Sequence, residues 1–153
     1  MGIKQISEDF EVPSRDWFFT GGAGFDHGKG LARKGQGNAW VRNTTGWNAI
    51  NRWYPVDSDS VYTVYAWLRL SPTLTDGYMS VRNDKENRPD RSFSVIRETR
   101  LVFDPSRPDY SPYQFDFYTG INTRVLLYVG LWGIGTDAWI QIDDISISTQ
   151  TPF

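Results

Sequence analysis

The stretch that decides the fold class of this chain is Val61-Tyr62-Thr63-Val64-Tyr65-Ala66-Trp67-Leu68-Arg69-Leu70. From position 62 onward, every even position is apolar or a tyrosine. The odd positions from 63 to 69 hold Thr, Tyr, Trp and Arg. This period of two is typical of a β-strand that buries one face. Residues 124–132 repeat it, and the residues that alternate there are Val125, Leu127, Val129 and Leu131 against Leu126, Tyr128, Gly130 and Trp132.

Shorter segments at 78–82 and 114–118 alternate in the same way, and further strands are predicted at 39–42, 48–56, 92–98 and 138–148. Turn-forming residues separate them at 43–46, 57–60, 71–77, 84–90, 119–122 and 133–137. No stretch of a dozen residues keeps helical spacing, so the chain is predicted to be all-β, a sandwich or a barrel. The glycine-rich segment 22–30 is expected to be a loop, and the proline-rich segment 104–112 an extended surface loop.

Length and composition narrow the possible functions. One domain over residues 1–153 is expected, with 16 Lys and Arg against 18 Asp and Glu, a formal net charge of −2. A net charge this small and negative does not favour a nucleic acid or an anionic membrane as partner. The absence of Cys excludes disulfides, cysteine nucleophiles and thiolate zinc sites. The single histidine, His27, occurs without a Gly-x-Ser-x-Gly motif, so a serine hydrolase is not expected.

Aromatic residues carry the strongest functional signal, because 7 Trp, 8 Tyr and 9 Phe are more rings than a small core can readily bury. An exposed ring can stack on the apolar face of a sugar while polar side chains bind the hydroxyl groups. Alternation puts one set of candidates on the outward side of their strands: Trp67, Arg69, Tyr78, Arg82, Tyr128 and Trp132. If these strands share one sheet, they form a single binding platform. Trp47 and Trp53 are further candidates, at loops or edges.

Three stretches together resemble carbohydrate-binding modules of families 4, 9, 16 and 22. Phe10-Glu11 followed by Trp17 is similar to the opening of these modules, and residues 35–42, 47–56 and 62–69 are similar to three of their strands. The third stretch, Ile140-Gln141-Ile142-Asp143-Asp144-Ile145-Ser146-Ile147, is similar to their closing strand. The resemblance implies a two-sheet β-sandwich of the jelly-roll type. It also implies attachment to a catalytic domain of a secreted enzyme, so we expect an extracellular module cut from a longer precursor.

The same resemblance implies particular site residues. A structural calcium ion would join Glu11 to Asp143, with backbone carbonyls from the loop around Lys34 and Gln36 and with Asp144, Asp9 and Asp26 in reserve. Arg52 stands where these families have a glutamine that is a plausible ligand contact. Independently of the resemblance, Ile140 and Ile142 are out of phase with the following isoleucines, so a β-bulge at Asp143-Asp144 could turn a carboxylate toward a cation. The alternative is that this acidic pair is merely solvated at a sheet edge.

The sequence therefore predicts a non-catalytic module that binds a neutral or weakly acidic polysaccharide. Two alternatives from other classes stay open. One is a polysaccharide lyase or hydrolase on the same fold, because any two of the acidic residues could face a cleft. The other is a structural spacer or adhesin domain, in which the outer rings are buried against a neighbouring domain.

Overall fold

A computed structural model describes residues 5–149, which form nine β-strands joined by antiparallel pairings. The strands are β1 (Gln5–Glu8), β2 (Phe18–Thr20), β3 (Ala23–His27), β4 (Gly37–Pro55), β5 (Val61–Leu70), β6 (Gly77–Asn83), β7 (Val95–Leu101), β8 (Ser111–Tyr118) and β9 (Arg124–Thr149). A short 3₁₀ helix, Lys85–Asn87, lies between β6 and β7. No helix within residues 5–149 has the length and apolar character needed to cross a bilayer.

Two long strands, β4 and β9, each belong to two sheets. In the sheet that we call sheet I, the first part of β4 pairs with β3 and with residues 138–142 of β9, while the end of β9 pairs with β1 and with β5, and β5 pairs with β8. In sheet II, the second part of β4 pairs with β2 and with the first part of β9, and β6 lies between β9 and β7. This architecture confirms the predicted two-sheet β-sandwich.

The core lies between the two sheets, and the predicted alternation is confirmed. Burial alternates along β5, whose apolar positions are buried and whose odd positions from Thr63 to Arg69 are partly exposed. The inward residues of sheet II are also buried: Ile50, Tyr54, Met79, Val81, Val125, Leu127, Val129 and Leu131. Burial of these side chains is the main driving force for packing one sheet on the other.

Two of the predicted turns are wrong. Segments 43–46 and 133–137 do not separate independent strands; they lie inside β4 and β9, where each strand passes from one sheet to the other. The register shift between Asn43 and Thr45 marks this passage in β4. Sequence alone does not distinguish a tight turn from a strand that bends, because both use Gly, Thr and Asn.

Two edge elements also differ from expectation. The glycine-rich segment predicted as a loop contains strand β3, which pairs with β4 over residues 37–41. The proline-rich segment is a loop up to residue 110, but Ser111 and Pro112 begin β8. Pro112 is tolerated there because β8 pairs with β5 alone and lies at the edge of sheet I.

Candidate functional site

The outer face of sheet II gathers aromatic side chains from three adjacent strands. The ladder places Tyr78 of β6 opposite Gly130 of β9, and Trp132 of β9 opposite Trp47 of β4. Directly opposite residues of an antiparallel pair point to the same side of the sheet. The outward rings of these strands are therefore neighbours, although they come from distant parts of the chain.

Trp47 is the centre of this group. Its ring centroid lies 5.3 Å from that of Trp132, 5.8 Å from that of Tyr128 and 6.4 Å from that of Tyr78. Gly130 makes this arrangement possible, because a Cβ atom there would come within 2.8 Å of the Trp47 ring. We call these four residues the ring cluster.

A cleft of about 540 Å³ opens beside the ring cluster. One side is formed by Phe18 and Thr20 of β2, and the other by Phe93, which precedes β7, and Glu98 of β7. The remaining lining residues are Asn51, Arg82 and Leu126 together with the ring cluster. Trp132, Phe18 and Phe93 are 49%, 43% and 61% exposed, so apolar ring surface faces solvent here.

Hydrogen bonds fix part of the cleft. The Tyr78 hydroxyl donates to Asp76 Oδ1 at 2.6 Å. This hydrogen bond raises the pKa of Tyr78 above the usual tyrosine value, so the ring stays neutral in ordinary buffers. Asn51 Nδ2 donates to the Phe18 carbonyl and to Thr20 Oγ1, each at 3.2 Å, which ties β2 to the floor of the cleft.

Five of the predicted binding residues meet in this cleft: Trp47, Tyr78, Arg82, Tyr128 and Trp132. Trp53 lies on the same face of β4, but the Arg124 guanidinium covers its ring at 4.1 Å. Arg124 is held there by an ion pair with Asp84, with 2.5 Å between Nε and Oδ2. Trp53 is therefore next to the cleft without lining it.

Trp67 and Arg69 are not part of this group, so the expectation of a single platform is wrong. They belong to β5, which lies in sheet I, and they point away from the core on the opposite side of the sandwich. The Arg33 guanidinium lies 3.7 Å from the Trp67 ring centroid, and Arg69 lies 5.6 Å from that of Trp139. The alternation gave the correct side of each strand but did not show which strands share a sheet.

Arg52, predicted as a plausible ligand contact, does not face this cleft; it lines a separate pocket together with Glu8 and Tyr65. It lies on the inward side of β4 together with Ile50 and Tyr54, opposite Leu127. Its guanidinium is 4.8 Å from the Tyr54 ring centroid and 3.5 Å from an Asp16 oxygen. Burial raises the pKa of Tyr54 to about 12. Arg52 therefore lies beside the core and outside the cleft of sheet II.

Six residues that line the cleft were not predicted from the sequence: Phe18, Thr20, Asn51, Phe93, Glu98 and Leu126. Asn51 and Leu126 could have been found, because each alternates with buried residues of its strand. Phe18 and Phe93 gave no periodic signal, because β2 has three residues and Phe93 precedes β7.

A second group of functional candidates lies where the chain start meets the closing strand. Glu11 accepts hydrogen bonds from the backbone N–H groups of Gln36 at 2.8 Å and Gly37 at 2.7 Å. Asp143 accepts one from the Lys34 N–H at 2.8 Å. Residues 34–37 thus bind both carboxylates, and we call Glu11, Asp143 and this segment the acidic junction.

The predicted bulge is present in the acidic junction. The ladder between β5 and β9 passes from the pair Ala66–Ile145 directly to Trp67–Asp143, so Asp144 is the extra residue. Asp144 has a φ of 67°, the left-handed conformation that Asp tolerates better than most residues. Its carboxylate pairs with Arg33 at 3.1 Å, whereas Asp143 is 1% exposed.

The pKa values of Glu11 and Asp143 shift in opposite directions. Backbone hydrogen bonds from Gln36 and Gly37 lower the pKa of Glu11. Burial raises the pKa of Asp143, and the charges of Asp144 and Glu11 add to this rise. Backbone hydrogen bonds from Lys34 and Arg33 offset this rise only in part, so the negative charge of Asp143 is only partly compensated.

The oxygen atoms of the acidic junction fit a calcium ion in their chemistry. Ca²⁺ takes six to eight oxygen ligands, including carboxylates and amide carbonyls. Besides Glu11 and Asp143, the buried Asn38 Oδ1 has no hydrogen-bond partner in the part of the chain that the structure describes. Asn38 adjoins Asp143 across the ladder, because its neighbour Ala39 pairs with Ile142.

Two details differ from the predicted ligand set. Lys34 and Gln36 direct N–H groups, not carbonyl groups, at the carboxylates, and the Gln36 carbonyl accepts from the Gly28 N–H at 2.9 Å. Within residues 5–149, no three Asp, Glu or His side chains come together as a metal-binding group. A cation here would therefore need amide, backbone or water oxygens to complete its coordination.

No protein-family model and no curated protein matches the sequence, but solved structures match the fold closely. The CBM22-1 xylan-binding domain from Paenibacillus barcinonensis Xyn10C superposes with a TM-score of 0.69 at 14% identity, over 97% of this chain and 95% of that chain. The K1 cleaved adhesin domain of Lys-gingipain from Porphyromonas gingivalis W83 gives a TM-score of 0.69 at 13% identity, over 97% and 99%. The chain has the jelly-roll fold of these domains.

A third similar structure contains more than one module. The CBM22-1-GH10 modules of Clostridium thermocellum xylanase 10B, complexed with xylohexaose, give a TM-score of 0.67 at 15% identity. The match covers 97% of this chain but only 28% of that chain. Modules of families 16 and 4 also match, at TM-scores of 0.61 and 0.55. The structural neighbours thus include three of the four families that the sequence resembles.

Proposed function

We propose that this chain is a non-catalytic carbohydrate-binding module that holds a polysaccharide in the cleft of sheet II. The observation that carries the proposal is the ring cluster, Trp47, Tyr78, Tyr128 and Trp132, at the wall of an open cleft. Apolar ring faces stack on the C–H faces of pyranose sugars, and such stacking needs rings that are fixed but accessible.

The polar residues of the cleft support a sugar ligand over a purely apolar one. Arg82 offers hydrogen-bond donors, Glu98 offers acceptors, and Thr20 can do both. These groups flank the rings and can pair with the hydroxyl groups at the edge of a stacked sugar. A cleft of about 540 Å³ falls within the range of about 300 to 1,000 Å³ that is usual for ligand sites.

A binding role fits the cleft better than catalysis. Glycoside hydrolysis generally uses two carboxyl groups on either side of the scissile bond. Glu98 is the single carboxylate that lines the cleft among the described residues. The fold neighbours add support, because one is a xylan-binding domain and another carries a GH10 module and a bound xylohexaose. We therefore propose that the module targets an attached, secreted enzyme to its polysaccharide.

We further propose that the acidic junction binds a structural calcium ion. Support comes from the buried and undercompensated Asp143 carboxylate, the nearby Glu11 carboxylate and the unpartnered Asn38 oxygen. The ion would supply positive charge where burial opposes ionisation, and it would join the chain start to the closing strand.

Affinity electrophoresis tests the proposed binding function. The protein is run in native gels that contain soluble glucans, xylans, mannans or pectic glycans, and at least one polymer should retard it. Tyr128→Ala should abolish the retardation. The matched control is Tyr118→Ala, because Tyr118 is also exposed but lies on β8 of sheet I.

The other possible results favour the alternative functions. A blank result across all polymers would contradict the proposal and favour a spacer or adhesin domain, which the Lys-gingipain neighbour makes the second candidate. Release of reducing or unsaturated sugar ends during incubation would contradict the non-catalytic assignment.

A further inference from the structure

Arg82 is a charged residue of the cleft that has no counter-charge in the described part of the chain. Its guanidinium forms no hydrogen bond and no ion pair with any residue from 5 to 149, and its Nε atom is buried. Arg124, one ladder step farther along the same face, is instead paired with Asp84. Arg82 is half-buried, so its guanidinium is accessible to a ligand and has no charged partner among the described residues.

The position of Arg82 is fixed by its surroundings. Its Cζ atom lies 4.5 Å from the ring centroid of Phe93, which is close enough for a cation–π contact. A cation–π contact does not use up the N–H donors of the guanidinium. The group is therefore held in the cleft with hydrogen-bond donors still to be satisfied.

The acidic residues nearby do not neutralise Arg82. Glu98 lines the same cleft but forms no ion pair with Arg82. In the ladder it lies opposite Ser80, which is the outward residue next to Arg82 on β6. Asp76 accepts a hydrogen bond from the Tyr78 hydroxyl. Arg100, a further arginine on this side, donates to the Thr75 carbonyl at 3.0 Å. One positive charge therefore remains available at the Phe93 end of the cleft.

We propose that the cleft recognises a glycan that carries a carboxylate, a uronate sugar, and that Arg82 binds this carboxylate. The proposal rests on the glycan-binding function proposed above and names its substrate class. The planar fork of a guanidinium matches a carboxylate with two parallel hydrogen bonds. The ring cluster then stacks on the sugar chain, and Glu98 accepts hydrogen bonds from its hydroxyl groups. A net charge of −2 gives little general attraction to polyanions, so the selectivity is local to Arg82.

Binding of native and carboxyl-reduced glycans tests the inference. Glucuronoxylan and galacturonan oligosaccharides are titrated by calorimetry, each beside the same oligosaccharide after chemical reduction of its carboxyl groups. The wild type should bind at least one native form about tenfold to a hundredfold more tightly than its reduced form, as expected for charge-assisted hydrogen bonds. Arg82→Gln should bind both forms equally, with the affinity that the wild type has for the reduced form.

A matched variant controls for the change in net charge. Arg97 is an exposed residue of β7 that lies opposite the inward-facing Val81, so it points away from the cleft. Arg97→Gln should keep the preference of the wild type for the native form. Loss of the preference in this variant would contradict a local role of Arg82.

The failure of this inference can be distinguished from failure of the binding function. Equal affinity for native and reduced forms, or binding of neutral glycans alone, would overturn the uronate proposal and leave glycan binding intact. Tighter binding of a sulfated galactan than of either uronate would overturn the carboxylate assignment. Absence of binding to every glycan would overturn both proposals.

Discussion

Replacing Trp132 by alanine tests whether ligand binds the cleft of sheet II. The Trp132 ring is 49% exposed and packs on Trp47 at 5.3 Å between centroids. An aromatic pair of this kind contributes about 0.5 to 1.5 kcal/mol to stability. At about 2 to 4 °C per kcal/mol for a domain near this size, the melting temperature should fall by only a few degrees.

The expected loss of binding is much larger than the loss of stability. Stacking of a nucleic-acid base on an aromatic side chain contributes about 1 to 3 kcal/mol, and we take the same range for a sugar. Since about 1.4 kcal/mol is a factor of ten, Trp132→Ala should weaken glycan binding about fivefold to more than a hundredfold.

Trp67→Ala is the comparison that distinguishes the two sheets. Its ring lies under the Arg33 guanidinium on the outer face of sheet I. Its removal should leave glycan affinity unchanged, while the lost cation–π contact destabilises the fold by about 0.5 to 2 kcal/mol. Both variants are examined by titration calorimetry with one bound oligosaccharide and by thermal melts.

Two results would refute this reasoning. Full affinity in Trp132→Ala together with weak binding in Trp67→Ala would move the site to sheet I. A loss of about 3 to 5 kcal/mol of stability in Trp132→Ala would mean that the ring acts as a core residue.

Three further predictions concern the acidic junction and its surroundings. Calcium at a hundred times its dissociation constant should stabilise the fold by about 2.7 kcal/mol. EDTA should therefore lower the melting temperature by several degrees. An unchanged melting temperature, with no metal found by elemental analysis, would contradict calcium binding. Asp143→Asn should abolish this calcium response, and in EDTA at pH 7 it should melt no lower than the wild type. Because burial raises the pKa of Asp143, its ionised form destabilises the folded state. The difference in melting temperature between the variant and the wild type should therefore vanish as the pH falls below the usual aspartate range. A difference that grows at low pH would refute the raised pKa. Glu8→Ala should cost at least about 3 kcal/mol, since the buried Glu8 carboxylate accepts three hydrogen bonds, and a melt within a degree or two of wild type would show that water replaces it.

Local alternation in the sequence determined which side of each strand faces the core. Trp67, Tyr78, Tyr128 and Trp132 all lie on their predicted outward sides. The out-of-phase isoleucines of the closing strand likewise predicted the bulge at Asp144. Both inferences depend only on neighbouring residues, because side chains alternate with a period of two along any strand.

Two positions in and beside β4 show what alternation does and does not indicate. Arg52 alternates in phase with Ile50 and Tyr54, which places it on the inward side of β4 and away from the cleft of sheet II. The glycine-rich segment that contains β3 shows no alternation, so the pairing of β3 with β4 could not be predicted.

Only the tertiary structure decided which outward faces belong together. Because β4 and β9 each pass from one sheet to the other, the strand that carries Trp67 lies in sheet I, and those that carry Tyr78 and Trp132 lie in sheet II. The same pairing brings Phe18 and Phe93 to the cleft and leaves Arg82 without a counter-charge among residues 5–149. Strand pairing joins residues that are far apart in the chain, and a period of two carries no information about which strand is the neighbour.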